Sequence, residues 1–147
     1  MRCLPATLPT LTIADTVLSE ADHGFANADV TISLSEPSAL PVKFSYITRN
    51  QTAFSSVDFT AARGIVSIPP GQTTAVVSIP IKGDVTWEAD EVFQILLSSP
   101  INATIARTSG TVLIQNNDPL PAISISDATV IEAQSARVIV SLSNPSS

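Results

Sequence analysis

The sequence predicts an all-β protein, an immunoglobulin-like β-sandwich of about seven antiparallel strands. Three observations support this fold class. Apolar residues alternate with polar ones at a period of two rather than 3.6. Val, Ile, Thr and Ser are abundant while aromatic residues make up only 5% of the chain, a composition that favours strands. Eleven prolines and five glycines divide the 147 residues into short pieces, and short strands separated by turns are typical of a sandwich.

Seven alternating runs define the predicted strands. Their apolar residues are Leu11 and Ile13; Val30, Ile32 and Leu34; Val42, Phe44 and Tyr46; Val66 and Ile68; Ala75, Val77, Ile79 and Ile81; Phe93, Ile95 and Leu97; and Val112 and Ile114. Most prolines fall between the runs, where a missing N–H is tolerated. Pro80 is inside the fifth run, which predicts a sheet edge or a bulge there.

The sequence contains an internal repeat. LPTLTIADTVLSEA (8–21) resembles LPAISISDATVIEA 112 residues later, and VTISLSEPS (30–38) resembles VIVSLSNPS 108 residues later. A period of this size corresponds to a whole small domain. The predicted organisation is an N-terminal tail (1–7), a complete module (8–119) and the first two strands of a truncated second module (120–147), which indicates a fragment of a tandem array.

Charge and cysteine content limit the classes of partner. The formal net charge is −6, and without a basic cluster to neutralise phosphates no nucleic-acid partner is expected. The single Cys3 cannot form an internal disulfide. No apolar run reaches the roughly 20 residues that span a bilayer, so no membrane insertion by this segment is expected, and the N-terminus lacks the features of a signal peptide.

Strand parity predicts that most carboxylates collect at one end of the sandwich. If consecutive strands reverse direction, the loops near 19–29, 49–62 and 83–91 and the segment 115–119 meet at one pole. Nine carboxylates of the module fall in these segments: Glu20, Asp22, Asp29, Asp58, Asp84, Glu88, Asp90, Glu91 and Asp118. Glu91 shares the inward phase of Phe93, whereas Asp90 has the outward phase and is expected to face water.

An acidic pole of this kind is typical of a calcium site. Clustered carboxylates repel one another unless a cation is present, and Ca²⁺ accepts oxygen ligands from several loops with little angular demand. There is no His/Cys cluster for zinc or copper, since His23 and Cys3 are single residues of their types. The alternative interpretation is a set of solvated acidic turns.

The chain also resembles a known family. The segments that carry the resemblance are VDFT (57–60), GIVSIPPGQT (64–73), IPIKGDVTWEADEVFQILLSSP (79–100) and GTVLIQNNDP (110–119). Together they resemble the Calx-beta domain over residues 9–119, and the resemblance resumes at 121. This family occurs in the calcium-sensing region of sodium/calcium exchangers, in an integrin β subunit, and in repeat-bearing adhesion proteins of animals and bacteria.

The resemblance implies a sandwich that binds Ca²⁺ at one tip. The ligands that it implies are Glu20, Asp58, Asp84, Glu88, Glu91 and Asp118. Calcium-binding members often have further acids where this chain has Gly83, Asn116 and Asn117, so fewer ions or weaker binding are expected here.

The predicted function is a calcium-binding module of an extracellular or cell-surface adhesion or structural protein, in which Ca²⁺ rigidifies the tip and the junction to the next module. Its partners would be neighbouring repeats of the same chain and a protein or cell-surface ligand. The alternative is a metal-free spacer or protein-interaction module of the same fold. An enzyme is not expected, since one Trp and one Tyr suggest no sugar cleft and no nucleophilic set can be built around His23.

Overall fold

The computed structural model describes residues 7–146, which form strands joined by turns and loops. The predicted N-terminal tail therefore lies outside the described residues except for Thr7. The strands are β1 (Thr10–Ile13), β2 (Thr16–Ser19), β3 (Gly24–Leu34), β4 (Val42–Asn50), β5 (Arg63–Ile68), β6 (Thr74–Gly83), β7 (Glu91–Ile101), β8 (Thr104–Ile105), β9 (Ser109–Gln115), β10 (Ile123–Ile125) and β11 (Val140–Leu142).

Strands β1 to β9 form a two-sheet sandwich. One sheet has the order β6-β3-β1-β8 and the other the order β2-β9-β7-β4-β5. Their inward residues belong to one buried cluster, which contains Leu11, Ile32 and Ile79 from the first sheet and Phe44, Ile95 and Val112 from the second. The predicted fold class is confirmed, and so is the placement of Pro80, because β6 is an edge strand.

Within residues 8–119 the structure has nine strands, and two pairs of them are parallel. The chain leaves the first sheet after Ile13 and joins the second at Thr16, so that β1 pairs in parallel with β8 and β2 in parallel with β9. Asp15 stabilises this crossing, since its Oδ1 accepts hydrogen bonds from Arg107 Nη2 at 2.6 Å and from the Thr111 N–H at 2.8 Å. The prediction of seven antiparallel strands missed β2 and β8 because these segments are short and only partly buried.

Strand direction brings together the predicted loops near 19–29, 49–62 and 83–91 and the segment 115–119. We call this end of the sandwich the acidic tip. Three cross-strand pairs show this: Gly24 lies opposite Gly83, Asn50 opposite Phe93, and Ser19 opposite Gln115. Asp29 is an exception to the parity prediction. It lies within β3, opposite Ser78, and its carboxylate accepts a hydrogen bond from the Ser78 hydroxyl, because β3 begins at Gly24 rather than near residue 30.

The segment 120–146 contains a separate two-stranded sheet of β10 and β11. Its register reproduces that of β1 and β3: Leu11 pairs with Leu34 and Ile13 with Ile32, whereas Ile123 pairs with Leu142 and Ile125 with Val140. Each β10 residue lies 112 positions after its counterpart in β1, and each β11 residue lies 108 positions after its counterpart in β3. Flanking hydrogen bonds recur as well, such as Ser35 N–H to Thr10 O and Ser143 N–H to Ala122 O. The repeated sequence therefore specifies the same local pairing twice.

Residues 7–146 contain no helix with the length and apolar character needed to cross a membrane.

Candidate metal site at the acidic tip

Four segments bring the six predicted ligands to the acidic tip. Glu20 follows β2, Asp58 lies in the loop between β4 and β5, and Asp118 follows β9. The remaining three, Asp84, Glu88 and Glu91, belong to the connection from β6 to β7 or to the first position of β7.

Three of these residues form a compact carboxylate group. One carboxylate oxygen each from Asp58, Glu88 and Glu91 can be chosen so that all three lie within 4.8 Å of one another. Glu20 and Asn116 join them in lining a cavity of about 10 Å³. That volume is about what one water-sized sphere requires, so the cavity fits a single small ion.

Asp58 is held by hydrogen bonds to both its side chain and its backbone. Its Oδ2 accepts a hydrogen bond from the Phe54 N–H at 2.6 Å, and its carbonyl accepts one from the Lys82 N–H at 2.9 Å. The next residue, Phe59, is fully buried and forms a bridge to Ile81. The loop thus fixes the Asp58 backbone to β6 while its carboxylate remains at the cavity.

Glu91 points inward at the mouth of the sandwich, as its phase predicts. It lies opposite Ile114 and two residues before the fully buried Phe93. Asp90 is exposed, in agreement with its predicted outward phase, and its Oδ1 accepts a hydrogen bond from the Asn116 N–H at 3.0 Å. The two neighbouring acids therefore have different surroundings.

Glu20 connects the compact group to the rest of the tip. Its carboxylate accepts a hydrogen bond from the Asn117 backbone N–H, and its own N–H donates to Gln115 O at 3.0 Å. The other carboxylate oxygen, Oε1, is buried and has no hydrogen-bond partner within residues 7–146. Because a buried carboxylate oxygen without a partner is costly, this atom is suited to a cation ligand.

Asp84 and Asp118 lie outside the compact group but close to Glu20. Both charges act on Glu20. Asp84 Oδ1 accepts a hydrogen bond from the Thr86 N–H at 2.7 Å, which shapes the turn. Asp118 Oδ2 is buried and, in the described part of the chain, has no hydrogen-bond partner. The six predicted ligands are thus neighbours, although only four line the cavity, and their metal binding stays a prediction.

Two residues of the site were not among the predicted ligands. Asn116 Oδ1 accepts hydrogen bonds from the N–H groups of Glu88 and Asp118, both at 3.3 Å, so this amide organises two acidic segments. Lys82 lines the cavity, and its Nζ donates to Ser56 O. The sequence signal for Lys82 is its place two residues before Asp84, but only the fold brings it to the wall of the cavity.

Position 83 is occupied by glycine, and not by an acidic residue, for a steric reason. A Cβ atom at this position would lie 1.8 Å from Ala21 O, so any side chain would require the Ala21 backbone to move. The absence of an acid here therefore follows from the close approach of the segment after β2, which also positions Glu20.

The electrostatics of the metal-free site favour protonated carboxyl groups. Burial raises the pKa of Glu20 to about 7, and the nearby charges of Asp118 and Asp84 add to this effect. Burial also raises the pKa of Glu91 to about 7, and the hydrogen bond and charge interaction of Glu91 with Asp58 add to this effect. The pKa of Asp118 is raised by burial and by the charges of Asp22 and Asp84. These groups would ionise more readily beside a cation.

The donor set fits a hard divalent cation. Four carboxylates and one amide oxygen surround the cavity, and Ca²⁺ takes six to eight oxygen ligands in a flexible geometry. Backbone carbonyls and water would complete its coordination. There is no sulfur ligand or pair of imidazoles among the lining residues, which is the pattern of a calcium site rather than of a zinc site.

Comparison with solved structures gives the same fold. The apo-form Calx CBD1 domain has 24% identity and a TM-score of 0.63, over 76% of this chain and 99% of that domain. CBD12 from CALX1.2 has 22% identity and a TM-score of 0.68, and the calcium binding domain CBD12 of CALX1.1 has 22% and 0.67. The chain spans about half of each CBD12 structure, at 50%. No curated protein sequence matches the chain.

A family comparison extends over most of the chain. The model of the Calx-beta domain matches residues 9–118, which include β1 to β9 and all six predicted ligands. The chain therefore belongs to the Calx-beta domain family.

Proposed function

We propose that residues 8–119 bind one Ca²⁺ ion at the acidic tip, with Glu20, Asp58, Glu88 and Glu91 as the carboxylate ligands. The observation that carries the proposal is the convergence of oxygens from Asp58, Glu88 and Glu91 within 4.8 Å of one another. The ion would offset the repulsion among these groups and satisfy Glu20 Oε1. Asp84 and Asp118 would act through their charges on the neighbouring Glu20. They would make the electrostatic potential at the site more negative.

The module would act as a unit of a tandem, extracellular or cell-surface adhesion or structural protein. Support for the tandem organisation comes from the repeated register of β10 and β11, which is the pairing that begins the first module. The tip also touches the following segment: the Trp87 N–H donates to Pro145 O at 3.0 Å, and Asn144 Nδ2 donates to Pro119 O at 2.7 Å. Calcium at the tip would rigidify the loop that makes the first of these contacts, and with it the junction.

Isothermal titration calorimetry with Ca²⁺ tests the proposal. The metal-free protein should bind one ion, and the Glu91→Gln variant should lose most of the affinity because one charged ligand becomes neutral. Asp90→Asn is the matched control, since an amide oxygen can still accept the hydrogen bond from Asn116. A dissociation constant of about 10⁻⁴ to 10⁻³ M would suit an extracellular module, whereas about 10⁻⁶ M would indicate a cytosolic sensor. Absence of binding by the unsubstituted protein would refute it.

The stability of the metal-free protein should decrease as pH rises from about 5 to 8. Glu20 and Glu91 have folded pKa values of about 7, above the ordinary 4.5, so the folded state holds more protons than the unfolded state between these values. The stabilisation present below 4.5 is lost as pH rises through 7. The expected loss is about 1–2 kcal/mol in total, because both groups are partly open to solvent.

Thermal unfolding of metal-free protein across this pH range measures the effect. The Glu20→Gln/Glu91→Gln variant should show a flatter profile, since its amides do not titrate. A melting temperature that increases toward pH 8 in the unsubstituted protein would contradict the assignment.

A further inference from the structure

A second surface, on the far side of the five-stranded sheet from the core, combines exposed aliphatic and cationic side chains. We call it the β4–β5 strip and define it as Lys43, Ile47, Arg49, Arg63 and Ile65. Ile65 is 75% exposed and Ile47 46%, and the three cations are exposed as well. Ile47 lies directly opposite Arg63 across the two strands.

The strip is positive in a chain that is acidic. Strands β4 and β5 contain no carboxylate. Over residues 7–146 the one ion pair is that of Arg107 with Asp15, so Lys43, Arg49 and Arg63 have no carboxylate partner there. Two shallow grooves, of about 480 and 290 Å³, adjoin the strip and share Ile47 and Arg63 in their walls.

Strand β5 leaves its outer backbone groups open. The Thr48 N–H donates to Ala62 O at 2.9 Å, and β4 and β5 continue from there in an unbroken antiparallel register. Because hydrogen-bonded pairs alternate in such a ladder, Gly64, Val66 and Ile68 bond to β4. The N–H and C=O groups of Arg63, Ile65 and Ser67 therefore point away from it, toward the outer edge, where the described chain supplies no further strand.

The other sheet edges of the module are less accessible or uncharged. The edge strands β2 and β8 have four and two residues. Strand β6 contains Pro80, and the segment around Phe59 covers the half of β6 that lies nearest the acidic tip. Phe59 forms a bridge to Ile81, and the Thr60 N–H donates a hydrogen bond to Pro80 O. The open half of β6, residues 74–79, has no charged side chain. Proteins usually shorten or cover their edges, and β5 is the one described edge of six residues that remains open beside a charged strip.

We propose that the open edge of β5 binds an extended acidic segment of a partner protein, which adds a strand to the five-stranded sheet. The partner backbone would bond to the free groups of Arg63, Ile65 and Ser67, as in other cases of strand addition. On the outer face its carboxylates would lie near Arg49 and Arg63 and its aliphatic side chains near Ile65. A backbone edge is satisfied by another backbone, which favours a peptide over a lipid surface. No residue of the strip lines the cavity at the acidic tip, and the strip would bind its partner without calcium.

A capped peptide that alternates Glu and Val, labelled with fluorescein, is the probe. Fluorescence anisotropy with the full chain should show saturable binding that weakens with salt, and the same peptide with Lys in place of Glu should not bind. Ile65→Pro removes one outward N–H without breaking a bond to β4, so affinity should fall about tenfold, in the range expected for one lost hydrogen bond. Arg63→Glu should reduce binding at least as much.

Arg137→Glu is the matched control, since it makes the same charge change outside the strip and should leave binding intact. Equal melting temperatures of the variants would exclude misfolding. Binding that is unchanged in both strip variants would overturn the proposal. So would binding of phosphatidylserine-containing vesicles, but not of the peptide, that Arg63→Glu removes. A dimer that Ile65→Pro abolishes, seen by sedimentation in the absence of peptide binding, would identify a second copy as the occupant and overturn it too.

Discussion

Calcium should raise the melting temperature of the protein by roughly 5–10 °C when its concentration is about 100 times the dissociation constant. A ligand selective for the native state then contributes about 2.7 kcal/mol, and each kcal/mol shifts the midpoint by about 2–4 °C for a chain of this size. The physical source is the relief of repulsion among Glu20, Asp58, Glu88 and Glu91, which line one small cavity.

The Asp58→Asn/Glu91→Gln variant separates this effect from general salt stabilisation. Without calcium it should melt at or above the temperature of the unsubstituted protein, since two repelling charges are gone, and calcium should then have little effect. Asp90→Asn changes a neighbouring exposed acid and should keep the full calcium response. Differential scanning calorimetry with excess chelator and with excess calcium measures each value. An unsubstituted protein that melts at the same temperature in both conditions would support the metal-free alternative.

Phe59→Ala should lower the melting temperature by roughly 10 °C and also weaken calcium binding. Phe59 and Phe93 are both fully buried, and their rings stack with centroids 4.0 Å apart and planes at 12°. Removing a buried Phe side chain costs about 3–5 kcal/mol, which corresponds to a shift of this size. The stack joins the segment that carries Asp58 to the strand that begins with Glu91, so its loss should separate two of the proposed ligands.

Phe44→Ala is the matched control for this second prediction. Phe44 is 1% exposed and lies near the end of β4 remote from the tip. Its loss should cost a similar amount of stability and leave calcium affinity close to that of the unsubstituted protein. Calorimetric titration of both variants below their melting temperatures makes the comparison. Equal calcium affinities for the two variants would show that the aromatic stack supports the core alone.

The two experiments address different features of one site. The first depends on the charges around the cavity and the second on the packing beneath it. In the structure these are joined, since Asp58 directly precedes Phe59 and Glu91 stands two residues before Phe93. Because each acid is close in sequence to a buried Phe, the two segments place the carboxylates of Asp58 and Glu91 beside the stacked rings.

Short-range patterns predicted the strands and the acidic tip well. Alternation of apolar residues located all seven main strands, because a side chain's face in a strand follows from its position alone. Parity then placed the loops of Glu20, Asp58 and Glu91 at one end, which the pairs across the sheets confirm. Asp29 is the exception, because β3 begins at Gly24 and places Asp29 within the strand.

Four features follow from the amino-acid sequence alone: the strand period, the repeat, the end of the sandwich that collects the acids, and the family resemblance. All of these are properties of residues close together in the chain or of motifs compared between chains. Long-range packing sets the sheet to which each strand belongs, and hence the crossing after Ile13 and the parallel partners of β1 and β2. It also sets which acids line one cavity and requires that Gly83 lack a side chain. Those features depend on contacts between segments far apart in sequence, and alternation within a strand carries no information about its lateral neighbours.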